Sequence, residues 1–288
     1  MERPLVVGVD GSEHSLRAVD WAAQEAARHG LPLRLVEASL WARYEKTLLS
    51  FGSSPELDRQ RADDIVVKAA ERASKAAPGV QVTTDVLPDD TVTALVRESE
   101  AAFALVLGHR GRGGFPELMV GSVALQVAGR AHGPVFVLRE TGPNTPVSSD
   151  PVVLGVGDGG SDSAAVEFAL REAALRGAAL HAVHAWRRIG PGLASLQHGT
   201  AADAHGAQNT LTAALGHAVT AHPDIALHQE VREGPARDVL MSAASSASLL
   251  VVGARHRTHS PGLQLGPVTH ALLHHVSCPL AIVPQPQP

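Results

Sequence analysis

Leu5-Val6-Val7-Gly8-Val9-Asp10-Gly11-Ser12 decides the fold, because its apolar run returns 147 residues later as Val152-Val153-Leu154-Gly155-Val156. The same offset carries Ala18-Val19-Asp20-Trp21-Ala22 onto Ala165-Val166-Glu167-Phe168-Ala169. Leu105-Val106-Leu107-Gly108 returns as Leu250-Val251-Val252-Gly253, and Gly133-Pro134-Val135 as Cys278-Pro279-Leu280, both 145 residues on. Four matches in one order at a nearly constant offset mean that one unit is written twice. A two-residue deletion between 169 and 250 accounts for the drift. The stretch 141–150, rich in Pro, Gly and Ser, reads as the linker between a first domain over 1–140 and a second over 151–288.

Within the first repeat, apolar runs lie at 5–9, 33–36, 103–107 and 135–138, with a more mixed strand at 80–86. Continuous apolar runs of this length suit strands buried on both faces, as in a parallel sheet covered by helices. Between them stand helical patterns. Leu16, Val19, Ala23 and Ala26 share one face, as do Val166, Ala169, Leu170 and Ala173. Longer helices are expected over about 56–76 and 202–221. The order βαβαβαβαβ in each half predicts α/β architecture, two tandem doubly wound domains with a five-stranded parallel sheet apiece. Such sheets bind ligands outside the carboxyl ends of their strands, where the strand order reverses. The loops after strands 1 and 4 are therefore the places to inspect.

After strand 4 the first repeat reads Gly108-His109-Arg110-Gly111-Arg112, and then, after nine residues in all, Gly121-Ser122-Val123. Gly108 ends a buried strand where backbone can approach a ligand. Gly111 permits positive φ and removes a Cβ from a phosphate path. Gly121-Ser122 opens a helix whose first N–H groups suit an anion. Arg112 adds charge within reach of outer phosphates. The same glycines also suit an ordinary surface loop followed by a Ser-capped helix. After strand 1 come Asp10, Gly11 and Ser12. Here an acid can take ligand N–H or O–H groups, or Asp10 and Ser12 can simply cap the helix.

Taken together, these motifs resemble the universal stress protein family, and the resemblance runs over nearly the whole chain twice. It implies a flavodoxin-like or HUP-type α/β fold, ATP binding in many members, and a regulatory or sensing role in the stress response. Carried onto this chain, it implies that Asp10, with Gly11 and Ser12, meets the adenosine moiety and that the Ala38 backbone meets adenine. It further implies that Gly108, His109, Gly111, Arg112, Gly121, Ser122 and Val123 hold ribose and phosphates, with Mg²⁺ as a companion ion. Some members lack the glycine motif, so a signalling scaffold that binds no nucleotide is the alternative.

The second repeat keeps the spacing and loses the chemistry. His256 stands where the second Gly falls, and Pro267 replaces the Ser. Asp10 aligns with Gly157, Asp158 lying one residue later. A histidine ring in the phosphate path and a proline without an N–H argue that this repeat binds ATP weakly or not at all. Arg255, His256 and Arg257 still offer positive charge to another anion. Twelve of the 16 histidines fall in this repeat, among them His259, His275, and His270 and His274 at i, i+4. No acidic or Cys partner stands at ligand spacing, so they are read as exposed or locally bonded, with no metal site.

Composition narrows the classes. A net charge of −5 opposes a basic nucleic-acid binder, and 3% aromatics oppose a base-stacking platform. The single Cys278 precludes an intrachain disulfide and fits a reducing compartment; it is expected to pack as a small hydrophobe. No secretory signal or membrane-length apolar run is present, so a soluble cytoplasmic protein is expected. Phosphate-loop, nucleophile-elbow and His-Glu-x-x-His signatures are absent, leaving at most slow ATP hydrolysis. The last strand of each repeat is a sheet edge that needs cover. Pairing the two within the chain as a pseudo-dimer, or forming a homodimer, would supply it.

Overall fold

The computed structural model describes residues 2–38, 55–111, 120–139, 150–158, 163–188, 204–254 and 265–285. The chain divides into two compact units, Met1–Glu140 and Thr141–Pro288. In the first, strands β1 (Leu5–Gly8), β2 (Leu33–Ala38), β3 (Val82–Leu87), β4 (Ala104–Gly108) and β5 (Val135–Leu138) alternate with helices α1 (Glu13–His29), α2 (Pro55–Ala76), α3 (Thr91–Ala101) and α4 (Ser122–Ala128). All pairings are parallel, β1 joining both β2 and β4, so the order is β3-β2-β1-β4-β5. The order reverses between β1 and β4, which opens a crevice at their carboxyl ends.

The second unit repeats the plan. It contains β6 (Val152–Val156), β7 (Leu180–Trp186), β8 (Leu227–Glu233), β9 (Leu249–Ala254) and β10 (Leu280–Pro284). Its helices are α5 (Ser163–Arg176), α6 (Ala204–Ala221), α7 (Ala236–Ala243) and α8 (Pro267–His275). Its sheet is also wholly parallel, in the order β8-β7-β6-β9-β10.

Burial explains why these runs become central strands. Leu5, Val6, Val7, Ala104, Leu105 and Val106 are at most 1% exposed, so β1 and β4 have apolar cover on both faces. Helix α1 gives one face to that core through Leu16, Val19, Ala22, Ala23 and Ala26, and its Trp21 ring lies 4.8 Å from the Phe136 ring of β5. Ala62, Ile65, Val66, Ala69 and Ala73 do the same for α2 at helical spacing, while Leu57 and Val67 face water. Two arginines join elements at the periphery. Arg34 of β2 donates to Glu98 of α3 at 2.9 Å and to Asp85 of β3 at 3.0 Å. Arg72 of α2 grips Asp20 of α1 at 2.6 and 2.7 Å. Both guanidinium pKa values are raised, chiefly by hydrogen bonds to these carboxylates.

Strand boundaries differ from expectation by a few residues. β1 stops at Gly8, one residue early, because the chain turns at Gly11 with φ +77°. β2 continues to Ala38 because it pairs with β3 along its whole length. No helix among the described residues is long and apolar enough to cross a membrane.

Candidate functional site

At the carboxyl ends of β1, β2 and β4 the first unit holds a cavity of about 350 Å³. Its walls are apolar where Val36, Leu95, Leu107 and Val123 meet it, and polar where Asp10, Ser15, Thr91, His109, Arg110 and Ser122 do. This size and lining belong to the small-ligand range. Of the residues expected from the sequence, Asp10, Ala38, Gly108, His109, Gly111, Gly121, Ser122 and Val123 line it. Gly11 and Ser12 stand behind Asp10 outside the lining. Arg112 lies outside the described residues.

The floor is the turn after β1. The Asp10 carboxylate accepts from the Ser12 N–H at 2.9 Å and the Ser12 hydroxyl at 2.6 Å. Ser12 is also the N-cap of α1, its Oγ accepting from the Ser15 N–H at 3.2 Å. The capping reading of this turn holds for Ser12, and the same network holds the Asp10 carboxylate in the cavity lining. Ser12 caps the helix, and in doing so it fixes the Asp10 carboxylate at the cavity wall.

The glycines act differently from expectation. Gly111 is not in the positive-φ region. A Cβ there would lie 2.5 Å from Asp10 Oδ2, so the glycine makes room for the acid. At Gly108 a Cβ would lie 2.8 Å from the His14 carbonyl carbon and oxygen, so this glycine admits the first turn of α1 against the end of β4. The tip of β4 is tied to the start of α4, since the Gly121 N–H donates to the His109 carbonyl at 2.7 Å. Gly121 is the N-cap of α4 with no side-chain cap bond. Ser122 is therefore the first helical residue rather than the capping one, and it lies in the cavity wall.

His109 is 3% exposed. Its Nδ1 lies 3.2 Å from the Leu138 carbonyl, and its ring meets His14 edge to face at 4.8 Å. Burial, then the nearby charges of His14, Arg139 and Arg110, push its pKa down to about 4. The ring is neutral near pH 7, so Nδ1–H donates to Leu138 and Nε2 keeps a lone pair. On the other side Ala38 ends β2 with its carbonyl accepting from Thr91 Oγ1 of α3 at 3.3 Å.

Thr91, Leu95 and Arg110 were not singled out from the sequence. Arg110 sits inside the quoted Gly-His-Arg-Gly motif, so proximity alone marks it. Thr91 and Leu95 belong to a helix whose pattern shows an apolar face but not the cavity that face roofs.

The corresponding region of the second unit is built otherwise. Gly266 caps α8 and Pro267 is its first residue, so that turn lacks an N–H. His184 of β7 is 1% exposed, with Nδ1 2.9 Å from the Val156 carbonyl and Nε2 3.5 Å from Asp158 Oδ1. The rings of His270 and His274 on α8 lie 4.6 Å apart, tilted by 39°. Arg255, His256, Arg257 and His259 lie outside the described residues.

The universal stress protein family matches residues 1–139 and again 149–284. The chain belongs to the universal stress protein family. A universal stress protein of Mycobacterium tuberculosis is 31% identical, the alignment covering 98% of this chain and 95% of that one. One from Mycolicibacterium smegmatis is 26% identical over 98% and 97% of the two chains. The crystal structure of a universal stress protein from Archaeoglobus fulgidus superposes with a TM-score of 0.71 at 17% identity, covering 98% of this chain and 96% of that one. That last likeness concerns the fold. In this universal stress protein the two family repeats are the two doubly wound sheets described above.

Proposed function

We propose that this universal stress protein binds an adenine nucleotide, ATP, in the cavity of its first unit and that occupancy of the cavity is its regulatory signal. One observation carries the reading. Two motifs about 100 residues apart in sequence, Asp10-Gly11-Ser12 and Gly108 to Val123, meet at the reversal point of the sheet around one cavity. The apolar walls of Val36, Leu95 and Leu107 suit a base, with the Ala38 backbone beside it. Asp10, locked by Ser12, suits ribose hydroxyls. The first turn of α4 offers N–H groups without helical partners to phosphate. Among the described residues Asp10 is the one carboxylate in the lining, so Mg²⁺ would enter on the phosphates, with little help from the protein.

The same lining suits binding better than turnover. Asp10 is engaged by Ser12, and His109 Nδ1 is engaged by Leu138. The second unit, with Pro267 in place of the serine, is assigned no nucleotide.

Calorimetric titration of the full chain with ATP tests this. One site per chain is expected, lost in Asp10→Ala and Gly121→Ala. Two equivalent sites would overturn the inequality of the units, and no binding would favour the scaffold reading.

A further inference from the structure

We propose that His184 and Asp158 of the second unit form a binding site for a borderline divalent metal ion such as Zn²⁺, with water completing its coordination. The site consists of second-unit residues and does not rest on the nucleotide reading of the first.

The repeat shows how the pair arises. At the 147-residue offset Asp10 falls on Gly157, so the acid of the second unit stands one residue later, and Glu37 falls on His184. In the first unit Val36 and Ala38 line the cavity, while Glu37 between them does not. Side chains alternate along a strand, so position 37, and with it 184, belongs to the opposite face of the sheet. The parallel register sets Val156 of β6 beside His184 of β7, and Asp158 follows Val156 by two residues. Residues 158 and 184 have no ligand spacing along the chain; strand pairing brings them together.

The ring is held as a metal ligand is held. His184 is 1% exposed, and its Nδ1 lies 2.9 Å from the Val156 carbonyl oxygen. A carbonyl only accepts, so Nδ1 carries the proton and, in the neutral ring, Nε2 carries the lone pair. A backbone carbonyl on the second nitrogen is a common means of orienting a ligating imidazole. Nε2 is buried with no hydrogen-bond partner among the described residues, and it lies 3.5 Å from Asp158 Oδ1. Two acceptors at that distance repel, so the arrangement calls for a cation between them. A proton serves poorly, since an N–H on Nε2 finds no partner in hydrogen-bond geometry. A metal ion serves well. Imidazole nitrogen at about 2.05 Å and carboxylate oxygen at about 2.1 Å from zinc, set at the tetrahedral angle, stand about 3.4 Å apart. This donor pair suits Zn²⁺ and its neighbours rather than Mg²⁺. The Asp158 side chain is 43% exposed, which gives the ion a path from water. Among the described residues no third His, Cys, Asp or Glu joins the pair, so the remaining positions go to water.

The test is calorimetric titration of the full chain with Zn²⁺ in the absence of nucleotide, beside melting curves with Zn²⁺ and with Mg²⁺. One Zn²⁺ site is expected to weaken at least about tenfold in Asp158→Asn, which keeps the size of the side chain. His184→Gln should lose the same site; Asp158→Asn carries the test should that buried replacement fail to fold. The double variant His270→Gln/His274→Gln should keep it, which separates the site from other histidines of the unit. Zn²⁺ but not Mg²⁺ should raise the melting temperature of the wild-type chain, and Asp158→Asn should lose part of that rise. Equal Zn²⁺ affinity in wild type and Asp158→Asn would overturn the proposal, as would a wild-type chain that Zn²⁺ does not stabilise. A gain in stability on acidification that vanishes in Asp158→Asn, with no effect of Zn²⁺, would put a proton in place of the metal and overturn it as well.

Discussion

Gly108→Ala puts the packing beneath the cavity to the test. The added methyl carbon would sit 2.8 Å from the carbonyl carbon and oxygen of His14 and 3.1 Å from the amide nitrogen of Ser15. These are backbone atoms, so no side-chain rotation relieves the clash. Ordinary contact begins at 3.4 Å, so the first turn of α1 must retreat by roughly 0.6 Å. It has little freedom to do so. Ser15, Leu16, Ala18 and Val19 are each at most 4% exposed, and the strand side is held by the His109 N–H on the Leu138 carbonyl at 2.8 Å. Overpacking of this kind costs about 2–3 kcal/mol. For a unit of this size that lowers the melting temperature by roughly 6–9 °C. Calorimetric melting supplies the number, and hydrogen exchange of peptides from α1 and β4 locates it. Gly266→Ala is the control, because a Cβ there meets nothing within 4 Å and the loss should stay below ~1 kcal/mol. A Gly108→Ala protein that melts within about 2 °C of wild type would refute the close approach of α1 to β4.

Three further outcomes follow from the same geometry. Gly111→Ala forces the Asp10 carboxylate off a position 2.5 Å from the new carbon, and ATP titration should show at least about a tenfold loss with a smaller effect on melting. His109 has a folded pKa of about 4 against an ordinary 6.5, so the unfolded chain binds the extra proton first as the pH falls. Its contribution is complete above about 6.5 and is lost as the pH drops toward 4. The pH dependence of stability across that window should be weaker in His109→Asn by about 3 kcal/mol, and parallel profiles would contradict the assignment. The Cys278 thiol is 6% exposed and its pKa is pushed up by burial to about 12, so a thiol reagent at pH 8 should label it only after unfolding; rapid labelling of native protein would refute its burial.

Much of the fold was legible because a doubly wound sheet leaves strong marks. Central strands need apolar residues on both faces, and Val152-Val153-Leu154-Gly155-Val156 carries that requirement as plainly as its first copy does. Helix α1 was legible through its periodic face and its capping Ser12. The edge strands β3 and β8 were harder to read, since Thr83, Thr84, His228 and Gln229 face solvent and break the apolar run.

The site was legible in part, and for a different reason. Glycine spacing marks where backbone is crowded but not by what. The crowding at Gly108 comes from α1, and that at Gly111 from Asp10. Neither neighbour is adjacent in sequence, so no local pattern could name it. For the same reason no local pattern marks Thr91 and Leu95, which reach the cavity only because α3 packs beside the end of β2.

By itself the sequence determined the duplication, the alternation of strand and helix and the difference between the two glycine-loop sequences, because each is local or periodic along the chain. Tertiary structure alone decided that Asp10, the residues from Gly108 to Gly111 and those from Gly121 to Val123 line one cavity of about 350 Å³, and that Arg110 Nε in its wall is buried with no hydrogen-bond partner among the described residues. Those facts depend on parallel pairing of β1 with β4, which joins residues about 100 positions apart, and on burial, which is a property of neighbours in space.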